Sequence, residues 1–419
     1  ISGPAIPDIT ITFTGIFFLI FFLINNKFKD FFKEKLVIIS LIFWVYLIFL
    51  SFFSLNFKLS ISDALIFIRI LLIPLFLYYW IFDEEKNLKL IIKIIFYTVI
   101  FVSLDSIYQF TNYNPEFGFG KDIFGFKPDW YGRLSGPFYK ELIPGAFVSK
   151  FGLIGLLYLL TKKEKNIINY SICICYLVLI GIVTFISGER MALATFILGI
   201  LFLTFFYSSK RGIFIYAFFG IILCNFLIYK NHISYNDFKI IKSNPYHLGL
   251  EIEKKFICND KISTCKKIIK LQPSFKEIIK NFDKSAYGQI YSLGWDIFKD
   301  HKIIGVGLNN FTYLCNNDER YKDKILNYSC VSHPHNIYLQ WLVEAGFIGF
   351  AFFIIYLIYI VYYILNNNYN EFTPIALSTI LILFWPLMST GSLLKNWNGI
   401  STFLILGICL SINKLNKKI

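Results

Sequence analysis

The chain has 419 residues, of which 56% are hydrophobic and 48 are phenylalanine, more apolar surface than a soluble domain of this length can bury. It carries a formal net charge of +14. That excess does not indicate a nucleic-acid partner, because much of it sits in short connections between apolar stretches, and no zinc-finger spacing, RNA-recognition motif or basic helix accompanies it.

A helix needs about 20 mostly apolar residues to cross a hydrocarbon core of about 30 Å. Such stretches are predicted near residues 9–24, 36–54, 61–82, 90–110, 142–160, 167–186, 191–207, 212–229, 347–365, 373–392 and 399–412. They are continuously apolar over helical lengths rather than alternating over about ten residues, which excludes a barrel. The predicted fold class is an all-α polytopic membrane protein with about 11–12 transmembrane helices and one long external loop. The opening "ISGPAIPD" reads as a loop between helices, so a further helix is expected before Ile1. Three regions follow: an N-terminal helix bundle over 1–229 with an external loop at 111–141, a large external loop over 230–336, and an interfacial helix with C-terminal spans over 337–419.

The connections alternate in basic content. Lys27, Lys29, Lys33 and Lys35 fall in the first, Lys86 and Lys89 in the third, Lys162, Lys163 and Lys165 in the fifth, Lys210 and Arg211 in the seventh, and Lys414, Lys417 and Lys418 in the tail. These belong in the cytoplasm by the positive-inside rule, so the even-numbered connections face outward. Cys173, Cys175, Cys224 and Cys409 lie in apolar spans as small core residues, whereas Cys258, Cys265, Cys315 and Cys330 all lie in the long loop. In an oxidising space those four could form two disulfides, with Cys258–Cys265 and Cys315–Cys330 the favoured local pairing and free thiols the alternative.

A loop of this length is expected to fold and to have a task. Within "SAYGQIYSLGWDIFKDHKIIGVGLNNF", residues 285–311, an amphipathic helix is predicted from Tyr287 to Phe298, followed by a tight turn at Gly305, Val306 and Gly307. The Gly-x-Gly alone does not indicate nucleotide binding, because no strand–turn–helix pattern surrounds it. In "VSHPHNIYLQWLVEAGFIGF", residues 331–350, Pro334 keeps a regular helix from running through His333 and His335, and Asn336 stands at a helix start. Asn336, Gln340 and Glu344 form a polar stripe opposite Ile337, Trp341, Leu342 and Ala345, which predicts a helix along the membrane surface that turns down at Gly346 and Gly349. A histidine here either caps a helix or bonds a carbonyl, or serves as a general base, since its ordinary pKa of about 6.5 lets it accept a proton at neutral pH. Two histidines without a nearby Cys or paired carboxylates make a weak metal site, and none is expected.

Arg190 ends the sixth span in "FISGERMALATF", Arg133 lies in the shaped segment "DWYGRLSGPFYKELIPGAF", and Arg69 falls inside a span. Charges at such places are functional candidates, with snorkelling to the interface as the alternative. A guanidinium fork matches phosphate oxygens bidentately, so two external arginines would suit a diphosphate. Glu141, next to Lys140, could orient an arginine or a sugar hydroxyl, or be a plain surface acid.

"GVGLNNF" followed by "HPHNIYLQWLVEAGFIG", together with "RLSGPFYKELIPGAF", "ISGER" and "GSLLKNWNG", resembles the O-antigen polymerase and O-antigen ligase superfamily over most of the chain in order and topology. The resemblance implies a GT-C-like glycosyltransferase of the bacterial inner membrane, its active site facing the periplasm and acting on undecaprenyl-diphosphate-linked glycan as donor and acceptor. It further implies no cofactor, the lipid bilayer as surroundings, and a chain-length regulator as a candidate partner. Carried onto this chain, the family's functional groups are His335 as general base, with His333 as a second candidate, and Arg133 and Arg190 on the departing diphosphate. The terminal and Arg-Leu-Ser-Gly segments favour a polymerase, with a ligase acting on lipid A core or protein as the alternative. A non-enzymatic lipid-linked glycan transporter is the competing class, but the sequence has no inverted repeat and that reading gives His335 no task.

Overall fold

In a computed structural model of the chain, residues 5–25, 28–114, 118–130, 132–162, 167–236, 239–244, 249–257, 264–271, 279–322, 331–367 and 369–415 are described. Eight helices lead in: α1 (Ala5–Ile24), α2 (Lys35–Ser51), α3 (Phe57–Tyr79), α4 (Glu85–Thr111), α5 (Pro144–Leu160), α6 (Ile167–Ile186), α7 (Arg190–Phe206) and α8 (Arg211–Asn231). In the large connection, β1 (Lys239–Asn244), β2 (Gly249–Ile257) and β3 (Thr264–Leu271) form an antiparallel sheet in that order, and α9 (Ala286–Asp300) and α10 (Phe311–Asn317) follow. The chain closes with α11 (Ile337–Asn366), α12 (Thr373–Leu383) and α13 (Asn396–Ser411).

Every predicted span coincides with a helix, and the architecture is that of an all-α polytopic membrane protein, with the small sheet confined to the large loop. Among the described residues six helices (α1, α3, α4, α6, α8 and α11) are long and apolar enough to cross a membrane. Shorter apolar helices, α2, α5, α7 and α12, occupy four more of the predicted spans, α12 being the shortest at 11 residues, and the 16-residue α13 occupies the last. It stops well before the predicted end near residue 392 because Pro386 disfavours helical backbone at the residue ahead of it.

Two compact units divide the chain. The first comprises Lys89–Ser285 and Pro374–Trp385; the second comprises Ser2–Leu88, Ala286–Thr373 and Pro386–Ile419. In the first, α6 packs on α5 and α8, with Gly152 of α5 against Ile180 and Gly181 of α6 against Ile221, the close approach that small residues allow between membrane helices. The second is built on α3, which packs on α1, α2 and α13, and its centre is aromatic: the Trp341 ring lies 5.1 Å from Phe43 and 5.3 Å from Phe353.

Alternation of the connections reappears as bonding. Within the second unit, Leu55 of the second connection donates to the Val306 carbonyl of the eighth (3.1 Å), and Thr390 of the tenth donates to the His335 carbonyl (2.8 Å). At the odd-numbered side, Tyr79 Oη at the end of α3 donates to Glu34 of the first connection (3.1 Å), and Asn370 of the ninth donates to the Ile412 carbonyl at the start of the tail (3.0 Å). In the first unit the fourth and sixth connections are joined by Leu134 N to Ser187 O (3.3 Å). Connections that share parity thus share an end of their unit.

The predicted turn at Gly346 is a break in α11, with φ +65° and ψ −171°, a backbone region open to glycine alone. Breaking the helix leaves carbonyls unpaired, and the Gly-Val-Gly segment meets them: Val306 N donates to Val343 O (3.0 Å) and Gly307 N to Glu344 O (2.9 Å). In return Phe347 N donates to Lys302 O (2.8 Å). Gly305 and Gly307 both have positive φ, as the tight turn requires, and a Cβ on Gly346 would run into the Ile303 carbonyl. The polar stripe that predicts a water-facing side is buried: Asn336, Gln340 and Glu344 are 9%, 5% and 1% exposed. They point inward because the unit supplies partners for them, described below. Gly346→Ala should therefore destabilise the protein by about 2 kcal/mol or more, seen as a lower midpoint in thermal unfolding in detergent, whereas the same change at Gly212, whose Cβ would meet only a tyrosine ring edge, should leave it nearly unmoved.

Candidate functional site

Asn336 starts α11 as its N-cap, its Oδ1 accepting from Leu339 N (3.0 Å) while its Nδ2 donates to Pro386 O (2.7 Å). One turn on, Gln340 donates to Ser392 Oγ (2.7 Å) and to Glu344 (3.1 Å). Residues 386–392 are thereby fixed against the helix start, and they in turn fix the histidines. Thr390 offers its carbonyl to His333 Nε2 (3.3 Å), and Ser332 Oγ lies 2.8 Å from His333 Nδ1. With both ring nitrogens engaged, His333 is set as the tautomer that donates from Nε2.

His335 is held differently. Its backbone is left-handed, with φ +54°, a conformation uncommon outside glycine, and its carbonyl accepts from Thr390 N (2.8 Å) and Tyr291 Oη (3.4 Å). No described side chain hydrogen-bonds its half-buried ring, which lies 4.2 Å from that of His333. Burial, with the neighbouring His335 adding to it, pushes the His333 imidazole down to about 4. Burial also holds His335 below the ordinary histidine range, opposed by the Thr390 backbone. Both shifts favour the neutral imidazole, and two rings 4.2 Å apart would repel if both were charged.

In the first unit, the connection carrying Arg133 is shaped from α4. Gln109, fully buried, accepts from Ser135 N (3.0 Å) and Gly136 N (2.9 Å), and Asp105 accepts from Ile123 N (2.8 Å). Arg133 donates through Nη2 to Leu142 O (2.9 Å), while its buried Nε has no hydrogen-bond partner among the described residues. Gly188, with φ +76°, lets the chain after α6 pass against Gly132 and Arg133. That turn delivers Glu189, whose two carboxylate oxygens accept from Gly145 N (2.8 Å) and Ala146 N (3.0 Å) at the start of α5. Burial pushes the Glu189 carboxyl up to about 7 against the opposing pull of Arg133, the two amides and Lys150. Arg190, the first residue of α7, follows directly and is half-buried.

Sequence reasoning assigned no role to Glu189, Gln109 or Ser392. A signal for Glu189 existed: Ile143 stands at the N-cap of α5 and offers no side-chain cap, so the first amides of that helix need an acceptor from elsewhere. Arg69 is tied within the second unit, paired with Asp8 and donating to Asn396 Oδ1 (2.7 Å), which joins α3 to α1 and α13. Glu141 is exposed beside Lys140, which pairs with Asp129 at 3.6 Å. A cavity of about 300 Å³ in the first unit is lined by Tyr108, Asn112, Phe119, Lys121 and Lys127 among others, and neither arginine contributes to it. Among the described residues no group of three or more His, Cys, Asp or Glu is arranged to hold a metal. Cys315 is in a disulfide, whereas Cys258 and Cys330 and the side chain of Cys265 lie outside what is described.

Glu189→Ala should cost about 2 kcal/mol, since two hydrogen bonds to a carboxylate are lost and two helix-start amides are left unmet. Glu189→Gln, which keeps one acceptor oxygen, should cost about half as much. Thermal unfolding of the two variants in detergent tests the order.

None of the curated proteins compared matches the chain. A family model described as O-antigen ligase matches residues 175–354, a segment that holds Glu189 and Arg190 near its start and both histidines with the α11 break near its end. Members of that family are glycosyltransferase-like membrane enzymes. Residues 175–354, somewhat under half of the chain, thus form a segment that matches the O-antigen polymerase and ligase superfamily.

Proposed function

We propose that the protein is a polymerase that joins undecaprenyl-diphosphate-linked oligosaccharide repeat units at the periplasmic face of the bacterial inner membrane. One observation carries the reading: His335, which lies in the part of the chain that matches the family, is half-buried and has a left-handed backbone bonded to Thr390. Backbone in this region costs roughly 1–3 kcal/mol and persists where the surrounding structure enforces it, which is common at functional sites.

In this reading a hydroxyl of the acceptor glycan gives its proton to His335 as its oxygen attacks the anomeric carbon of the donor. The new carbon–oxygen bond forms as the bond from that carbon to the diphosphate oxygen breaks, and the electron pair leaves on the lipid diphosphate. Arg133 and Arg190, in the first unit, are proposed as anion-binding groups there, since a guanidinium fork matches the oxygens of a diphosphate. The unmet Nε donor of Arg133 is what such an anion would satisfy. His333, with both nitrogens engaged, packs and orients its neighbour. Family description favours a second reading, transfer to a different acceptor by a ligase, which shares this chemistry.

Incubating the purified protein with its lipid-linked repeat unit alone separates the two. A glycan ladder identifies a polymerase; transfer only after lipid A core or protein is supplied identifies a ligase; neither product removes the enzymatic reading. His335→Asn, which tolerates left-handed backbone, should lower turnover by about 10²–10⁴-fold, and retained turnover in the folded variant would exclude His335 as the base. Because its basic form is required and its pKa is depressed, turnover should stay flat through neutrality and fall only as pH drops below the usual histidine range of about 6.5. Arg190→Lys should lose nearly as much activity as Arg190→Ala if two-pronged binding matters; a fully active lysine variant, assayed across substrate concentrations, would reduce Arg190 to a point charge.

A further inference from the structure

We propose that the flank of α9 beside His335 is a sugar-binding subsite, on which pyranose rings of the acceptor glycan stack against Tyr287 and Trp295; this rests on the glycosyltransferase reading above. Tyr287 stands next to the histidine, its ring 5.7 Å from that of His335 and inclined at 76°, and it is 41% exposed. Tyr291, one turn on, lies 6.2 Å from Tyr287 and anchors the flank by donating to the His335 carbonyl (3.4 Å). Another turn on, Trp295 is 48% exposed.

The opposite side of the helix is fixed: Ile290, Leu293 and Ile297 are buried in a core with Phe311 and Val343. The aromatic flank is therefore a rigid surface rather than a loose one. Tyr287 and Trp295, two steps of four along the helix, are separated by an advance of about 12 Å, close to that of two pyranoses along an extended glycan. The face of an aromatic ring is electron-rich, and the axial C–H bonds of a pyranose present a matching apolar face to it. Asp296 and Lys299, paired at 3.3 Å on the turn that carries Trp295, are polar company that hydrocarbon would not accept, which favours a glycan over a lipid tail. A sugar seated on Tyr287 would have its hydroxyls at the His335 ring, where the proposed proton transfer needs one. Tyr287 and Trp295 are thus positioning residues, not members of the reacting set.

The test uses the full-length protein in detergent, with two readouts. In the first, lipid-linked repeat unit isolated from the native organism is titrated as acceptor against wild type, Tyr287→Ala, Tyr287→Phe and Trp295→Ala. Tyr287→Ala should raise the acceptor KM about tenfold with kcat within about threefold, Tyr287→Phe should stay near wild type, and Trp295→Ala should raise KM less. In the second, the oligosaccharide released from that substrate by mild acid, which lacks lipid and diphosphate, is examined by saturation-transfer NMR. Its ring protons should receive saturation from wild-type protein and lose it in a Tyr287→Ala/Trp295→Ala double variant. Unchanged KM with unchanged saturation transfer overturns the subsite, as does a fall in kcat alone, which would make Tyr287 a prop for His335. A wild type that turns over no substrate but transfers saturation through these residues would keep the subsite and sink the glycosyltransferase reading.

Discussion

The exchange of backbone hydrogen bonds at the break in α11 is the constraint on which the second unit depends. A helix inside a membrane protein cannot stop without its freed carbonyls finding donors, because no water is there to supply them. Val306 and Gly307 are those donors, and Lys302 and Ile303 accept in return from the resumed helix. The same segment continues into the second connection through Leu55, and Asn310 accepts from Asn56 N (2.9 Å). One glycine break thus anchors the end of the large loop, the start of α3 and the start of the histidine-bearing helix to each other.

The arginine region of the first unit uses the same logic at a helix start. α5 begins at Pro144 with no side-chain cap of its own, and Glu189, delivered from the end of α6 by the left-handed Gly188, satisfies its first amides. In both units, then, unpaired backbone groups at a helix end recruit a distant segment, and the candidate residue lies within a few positions of the recruiting contact. That arrangement gives short polar loops the rigidity of the helices they join, which chemistry on a fixed substrate requires.

The two histidines show how neighbouring residues of one type come to differ. His333 is buried with Ser332 on one nitrogen and Thr390 on the other, so its ring is committed. His335 is held through its own carbonyl, and its ring meets the Thr390 backbone and the rings of His333 and Tyr287. The proposed assignment of base to one and orienting partner to the other follows from that division, and the aromatic flank of α9 extends the same neighbourhood toward a glycan.

Hydrophobicity and length alone determined the helical class, the positions of the spans and the alternation of their connections, because an apolar run of helical length has one stable solution in a bilayer. Glycine and proline placement likewise marked the turns at Gly305–Gly307 and Gly346 and the interruption at Pro334, since these residues act through their own backbone. Tertiary structure alone decided which polar groups meet. The stripe Asn336, Gln340 and Glu344 has the same period whether it faces water or a partner, and only the folded unit shows Pro386 and Ser392 waiting for it. Arg69 and Arg133 look alike as charges near spans, yet one is paired with the Asp8 carboxylate and the other bonds only the Leu142 carbonyl among the described contacts. The role of Glu189 escaped the sequence for the same reason: a hydrogen-bond partner dozens of residues away leaves no local period, so it exists only once the chain has folded.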